Sequence, residues 1–283
     1  MTIGERITWM SRTWFITGTS RGFGREWAEA ALDRGDRVAA TARDVSSLDD
    51  LAAGYGDRIL PLALDVTDRE AALAALARAA GHFGRLDVIV NNAGYGQFGM
   101  IEEISEQEAR AQFETNVFGA LWITQGALPY LRAAGGGNII QVSSIGGISA
   151  FPNIGIYNAS KWALEGFSQA LAQEVAAFGI KVTLVEPGAF GTDWGGSSAR
   201  HATALPEYES VRAQAAEARR GRAGNPGDPE ATRSAILKVV DAENPPLRVF
   251  FGNAALAIAT ADYESRLAEW QRWQPVSIEA QGA

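Results

Sequence analysis

The chain predicts a doubly wound α/β fold, one parallel sheet with helices on both faces. Three observations carry this. Short apolar runs alternate with helix-length segments through the first two-thirds of the 283 residues. A glycine-spaced turn, Gly18-Thr19-Ser20-Arg21-Gly22-Phe23-Gly24, joins the first run to the first helix. No linker rich in Pro, Gly or Ser divides the chain before residue 186. Repeated β-α-β units imply right-handed crossovers within one sheet.

The strands are expected at Trp14–Thr17, Arg37–Thr41, Ile59–Leu64, Leu86–Val90, Asn138–Val142 and Lys181–Val185, runs typical of strands covered on both faces. Between them, Ala-, Leu- and Glu-rich segments predict helices over 23–34, 47–53, 68–80, 106–133 and 157–178. Thr67 with Glu70 and Ser105 with Glu108 read as capping boxes, in which hydroxyl and carboxylate satisfy the first free N–H groups. Gly135-Gly136-Gly137 and Gly179 end the two long helices. Beyond the sixth strand the rhythm breaks. Residues 187–228 predict a substrate loop or lid with a helical stretch near 206–220, because insertions after strand C-termini commonly cover α/β sites. A helix over 229–241, a strand Leu247–Phe251 and a helix over about 254–273 follow. Residues 1–11 are expected as a flexible extension, 12–275 as one domain and 276–283 as a tail.

Bulk composition narrows the chemistry. With 47% hydrophobic residues the chain can bury a sizeable core. A net charge of −8 argues against nucleic acid or an anionic membrane as partner. Cysteine is absent, which removes disulfides and thiolate chemistry. His82 and His201 are the two histidines and stand apart, so neither a metal site nor a Ser-His-Asp triad is expected. No signal-like start and no membrane-length apolar run are seen, and a cytoplasmic protein is the expectation.

Glycines in the 18–24 turn permit a tight bend and let the backbone approach a pyrophosphate at a helix N-terminus. Their spacing is G-x-x-x-G-x-G. Arg21 in the turn and Arg43 after the second strand suit the 2′-phosphate of NADP(H), since guanidinium groups grip phosphate bidentately. An acid there would instead serve NAD(H). Asp44, about 20 residues past Gly24, comes one position late, and Ala42 fills the slot such an acid would need. NADP(H) is therefore the expected cofactor, with NAD(H) the alternative.

Tyr157 and Lys161 lie four residues apart, on one face of a predicted helix and 13 residues after Ser144. Together with Asp65-Val66, Asn91-Asn92-Ala93-Gly94, Asn116 and Pro187-Gly188, this order and spacing resembles the short-chain dehydrogenase/reductase family, over about residues 12–195 and in its shorter, single-domain branch. The resemblance implies a Rossmann-type domain and an enzyme that interconverts alcohols and carbonyls. It implies that Tyr157 is the proton donor and acceptor, and that Lys161 binds the nicotinamide ribose and lowers the phenol pKa. Ser144 would bond the substrate oxygen and Asn116 would anchor a relay water. The cofactor contacts it implies are Gly18, Ser20, Arg21, Gly22, Phe23, Gly24, Arg43, Asp65, Val66, Asn91, Ala93, Gly94, Tyr157, Lys161, Pro187, Gly188, Phe190 and Thr192. It also implies a homodimer or homotetramer paired through 106–133 and 157–178.

Free tyrosine titrates near pH ~10, and a base working near neutrality needs a value about 3 units lower, or ~4 kcal/mol. An exposed ion pair supplies at most ~1 kcal/mol. Lys161 must therefore act in a water-poor site, helped by the positive ring of the oxidised cofactor. Apolar residues are expected around the reacting carbon, chiefly Tyr95, Phe98, Ile145, Phe151 and Trp194, which suit a small hydrophobic carbonyl or secondary alcohol. The Glu186–Phe190 run is similar to hydroxysteroid and retinol dehydrogenase-like members. Several residues have plainer expectations. Ser143 competes with Ser144, Asn92 is expected as a strand bridge, and His82 as a solvated residue. Arg212, Arg219, Arg220 and Arg222 are expected at a solvated helix end, with contact to an anionic substrate as the alternative. A non-catalytic cofactor-sensing protein on the same fold is the competing function.

Overall fold

The computed structural model describes residues 11–282. The expected N-terminal extension, apart from Ser11, lies outside the described residues. The chain runs β1 (Thr13–Thr17), α1 (Gly22–Asp33), β2 (Arg37–Ala42), α2 (Asp49–Tyr55), β3 (Ile59–Ala63), α3 (Arg69–Phe83) and β4 (Val88–Asn91). It continues through β5 (Gln97–Phe98), α4 (Glu106–Phe113), α5 (Ala120–Ala133), β6 (Gly137–Val142), α6 (Gly155–Val175) and β7 (Ile180–Pro187). The last elements are β8 (Arg200–His201), α7 (Glu209–Ala223), α8 (Thr232–Asp241), β9 (Arg248–Phe251) and α9 (Ala255–Ala280).

Seven strands form one parallel sheet in the order β3-β2-β1-β4-β6-β7-β9. Strand side chains alternate between two cores. Trp14, Ile16, Val88, Val90 and Ile140 face α1 and α8, joining Trp27, Leu32, Ile236 and Val240. Phe15, Ile89 and Ile139 face α3, α5 and α6, joining Leu76, Ile123, Leu131 and Leu171. Fully buried apolar side chains of this size contribute about 1.5–3 kcal/mol each. The two innermost indoles are also satisfied as donors, Trp14 to Asp36 and Trp27 to Thr232, each at 2.8 Å. The strand order reverses between β1 and β4. A ligand crevice opens at such a switch point, beyond the strand C-termini.

Several local expectations are corrected. Asp68 rather than Thr67 caps α3, accepting from the Ala71 N–H at 3.0 Å. Thr67 is held instead by Asp65, which accepts from its N–H at 3.0 Å and its hydroxyl at 2.8 Å. The Ser105–Glu108 capping box forms as expected. The single helix expected over 106–133 is interrupted by a π-helical turn, Glu114–Gly119, that contains Asn116. The C-terminal helix passes residue 273 and continues to Ala280, so residues 276–280 of the expected tail are helical. One pairing was not foreseen. β5 and β8 form a parallel two-stranded ribbon, Gln97 opposite Arg200 and Phe98 opposite His201, which pins the 187–228 segment to the loop after β4. No described helix is long and apolar enough to cross a membrane.

Candidate functional site

A cleft of about 680 Å³ runs across the C-terminal ends of the strands, from Arg43 at one end to Tyr157 and Trp194 at the other. Ser20, Arg21, Gly22 and Phe23 form its floor beside Gly18, with φ of +70° at Gly18 and +60° at Gly22. L side chains are strained in that region. Gly24 lies beneath, where a Cβ would meet the Gly18 carbonyl oxygen and the Asn92 amide. Its absence lets α1 approach the sheet end. The N-terminus of α1 has no side-chain cap. Its first N–H groups are left for an anion.

At the adenosine end, Ala42 and Arg43 line the wall with Asp65 and Val66. Arg43 makes no ion pair or side-chain hydrogen bond among the described residues. Asp44 is turned into its own turn, accepting from the Ser46 N–H at 3.0 Å and hydroxyl at 2.7 Å. Arg21 lines the cleft but is engaged across its mouth, 2.6 Å from Asp193 and 3.1 Å from the Ser197 hydroxyl. Asn91 corrects an expectation, since its side chain turns from the cleft and donates to Thr124 at 3.0 Å. Asn92 bridges β1 as expected, donating at 2.9 Å to both Thr17 and Gly18 carbonyls, and also lines the cleft with Ala93 and Gly94. Pro187, Gly188, Phe190 and Thr192 close the opposite wall.

α6 carries Tyr157 and Lys161, 5% and 6% exposed, into the far end. The Lys161 ammonium lies 5.8 Å from the centre of the Tyr157 ring and donates to the Val142 carbonyl at 2.8 Å. Burial pushes the phenol up to about 12, against a downward pull from the Ser144 hydroxyl. Burial likewise lowers the ammonium to about 8, with Glu165 opposing. Ser144 accepts from the Gly146 N–H at 3.0 Å, which leaves its own proton free to donate. Ser143 also lines the cleft, but its buried hydroxyl lies beside Gly147 and Glu165.

Asn116 lies 2% exposed below Gly94 rather than in the cleft wall. Its oxygen accepts from the Tyr95 N–H at 3.2 Å, and its amide donates to the Tyr95 carbonyl and the Ser160 hydroxyl, both at 3.1 Å. Ser160 donates in turn to the Tyr157 carbonyl at 2.7 Å. The Asn116 side chain thus clamps the loop after β4 to α6 and has no donor left over. Single π-turns occur often at functional sites, because the extra residue releases a backbone group from the helical ladder.

Five side chains were expected around the reacting carbon, and the structure divides them. Tyr95 and Trp194 line the cleft. The Trp194 indole tilts over the Tyr157 ring at 4.8 Å and over Phe98 at 5.4 Å. Phe98 stands behind Trp194, buried between it and His201. Ile145 and Phe151 are not in the cleft wall. They pack with Ile148, Ala255 and Ala259 beneath α9, whose position apolar spacing did not reveal. Sequence reasoning also missed Asp193, whose pairing with Arg21 spans residues remote in sequence.

Residues 12–203 match the short chain dehydrogenase family model, and the chain belongs to that family. It is an oxidoreductase of that family with a Rossmann-like parallel sheet. It is similar to oxidoreductase BOA17 of Botryotinia fuckeliana, 42% identical over 95% of this chain and 99% of the other. The crystal structure of a short-chain dehydrogenase from Streptomyces avermitilis aligns with a TM-score of 0.89 and 42% identity, covering 96% of this chain and 99% of that one. An alcohol dehydrogenase from the archaeon Thermococcus sibiricus, complexed with 5-hydroxy-NADP, aligns with a TM-score of 0.71 and 26% identity over 86% of this chain and 96% of that one.

Proposed function

We propose that this protein is an NADP(H)-dependent oxidoreductase that interconverts a hydrophobic secondary alcohol and its ketone, or an aldehyde, with Tyr157 as proton donor and acceptor. The observation that carries the proposal is the convergence of Ser144, Tyr157 and Lys161 under Trp194, at one end of a cleft whose other end holds Arg43. The uncapped N-terminus of α1 and the open floor at Gly18 and Gly22 fit a pyrophosphate, and Arg43 fits a 2′-phosphate. The 5-hydroxy-NADP in the Thermococcus sibiricus structure supports the same cofactor class. When bound, the cofactor supplies or receives the hydride.

Tyr157 is buried and protonated, as a donor to a carbonyl oxygen should be in reduction. Ser144 donates its free hydroxyl proton to the same oxygen and orients the carbonyl. In oxidation the phenol must lose its proton, and Lys161 holds the compensating charge beside it. Asn116 acts by position, fixing the Tyr95 loop against the turn of α6 that bears Tyr157. Trp194, Tyr95 and Phe98 exclude water and favour an apolar substituent. Subunit pairing through the α4–α6 face belongs to the same proposal. Phe118 and Trp162 stand 37% and 40% exposed there, and a monomer in light scattering would count against it.

NADPH consumption with a panel of ketones and aldehydes tests the function. Turnover of bulky apolar carbonyls, faster with NADPH than NADH, is expected. Faster turnover with NADH would assign the NAD-preferring alternative. Binding of NADPH without turnover of any carbonyl would assign the non-catalytic one.

A further inference from the structure

Arg200 lines the cleft beside Tyr95, and Arg219 and Arg222 stand behind its Trp194 end on aromatic faces. Arg200 lies over the Tyr95 ring at 4.5 Å. Arg219 lies over Phe98 at 5.0 Å and over Trp194 at 5.3 Å. Arg222 lies over Phe151 at 4.5 Å. Among the described residues none of the three forms an ion pair. Arg219 and Arg222 are exposed, as expected of a solvated helix end, and both guanidinium groups also rest on aromatic faces.

Two features separate this cluster from ordinary surface arginines. First, nearby carboxylates are committed elsewhere. Glu103 pairs with Arg212 of α7 at 2.6 Å, Asp193 with Arg21 at 2.6 Å, and Glu102 accepts from Tyr208 at 2.7 Å. Second, Arg219 and Arg222 stand three residues apart on α7, where like charges repel. Burial and the Arg222 charge both push the Arg219 guanidinium down from its ordinary value. An arrangement that keeps repelling cations together in a chain of net charge −8 is one that a bound anion would relieve. Contact with an aromatic face occupies one side of a guanidinium plane and leaves its edge N–H donors free, the geometry used for oxyanions. The Tyr95 hydroxyl is also buried at this end, beside the Arg200 guanidinium.

We propose that the substrate is an apolar carbonyl or alcohol that carries an oxyanion, carboxylate or phosphate ester, at the end remote from the reacting carbon. The reacting carbon sits at Tyr157, the hydrocarbon portion lies along Trp194 and Tyr95, and Arg219, with Arg222 and Arg200 beside it, holds the anion. This deepens the function proposed above and rests on it.

Matched methyl ketones test the inference: 2-octanone, 7-oxooctanoate, 6-oxoheptyl phosphate and (6-oxoheptyl)trimethylammonium, each with NADPH. At low salt, kcat/KM for one or both anionic ketones should exceed that for 2-octanone by about tenfold or more, as a charge-assisted pair allows. The ammonium ketone should be the poorest. Whichever anion leads identifies the headgroup. Added salt should shrink the ratio, and the double variant Arg219→Gln/Arg222→Gln should bring it close to one, while Arg219→Lys keeps much of it. A wild-type ratio near one, a preference for the ammonium ketone, or a ratio that survives the double substitution would overturn the proposal while leaving the oxidoreductase intact. Calorimetric titration of octanoate and octan-2-ol decides the case in which no ketone reacts. Tighter octanoate binding that the double variant loses would keep the anion site and remove the catalytic reading, whereas equal binding would remove both.

Discussion

Replacing Lys161 by methionine removes the ammonium that faces Tyr157 while keeping an unbranched side chain of similar length in a buried slot. The phenol stands near 12 in the protein, held there mainly by burial. Bringing it to half-ionisation near pH 8 requires about 4 units, or roughly 5–6 kcal/mol. With the 5.8 Å from the ammonium to the ring centre taken as the scale of the charge separation, opposite unit charges attract by about 3 kcal/mol at an effective dielectric constant near 20, about 2 pH units. The value near 12 already includes that ammonium, so the positive ring of the oxidised cofactor would have to supply the rest of what oxidation needs. In oxidation of 2-octanol with NADP+, the acidic limb of kcat/KM should move alkaline by about 2 units in Lys161→Met, an approximately 100-fold loss near neutrality. Because Lys161 is charged below about 8 and neutral above it, the advantage of wild type over the variant should fade as pH rises through that value. Lys161→Arg should keep most of the shift. If the limb stays in place and only the cofactor KM rises, Lys161 is an anchor and the electrostatic reasoning is wrong.

Gly24→Ala would drive a methyl group into the Gly18 carbonyl oxygen and the Asn92 amide, and backbone cannot yield cheaply there. A loss of about 1–3 kcal/mol of stability is expected by denaturant unfolding, with weaker NADPH binding by calorimetry. Arg43→Ala should raise the KM for NADPH about tenfold or more and leave that for NADH nearly unchanged, and an equal effect on both would place the 2′-phosphate elsewhere. Glu103 ties α7 to the body through Arg212, whose guanidinium holds the carboxylate down at about 2. A folded value below the unfolded one makes this stabilisation complete above roughly pH 4.5 and lost as pH falls through about 2. Glu103→Gln should therefore lower Tm near pH 6 and lose that difference toward pH 2. A constant difference would exclude the ion pair as its cause.

The sheet was legible because buried parallel strands leave continuous apolar runs, so β1 to β4, β6 and β7 fall within a few residues of expectation. Catalytic candidates were legible because Tyr157 and Lys161 share a helix face and stand in order with Ser144, Asn116 and the glycine turn, a set that resembles the short-chain dehydrogenase/reductase family. What escaped depended on contacts between distant segments. Thr67 and Asp68 are both competent caps, and only the turn at Asp65 decides between them. The π-turn at Glu114–Gly119 follows from Asn116 reaching both Tyr95 and Ser160, partners that helix propensity does not register. Ile145 and Phe151 have the composition of a pocket wall, but α9 crosses above them and makes them core. The two-residue β5–β8 ribbon is too short to leave a pattern, yet it helps set Trp194 over the site.

Everything in this account converges on one phenolic proton. The most direct measurement is single-turnover NADPH oxidation at saturating ketone in wild type and Tyr157→Phe, with NADPH affinity followed separately by calorimetry. The variant lacks one buried oxygen whose neighbours, Ser144 and Lys161, have other partners, so folding and NADPH binding should persist. The hydride step should slow by about a thousandfold or more, within the span of positioned acid–base catalysis. Equal single-turnover rates with intact binding would contradict the assignment of Tyr157 as the proton donor.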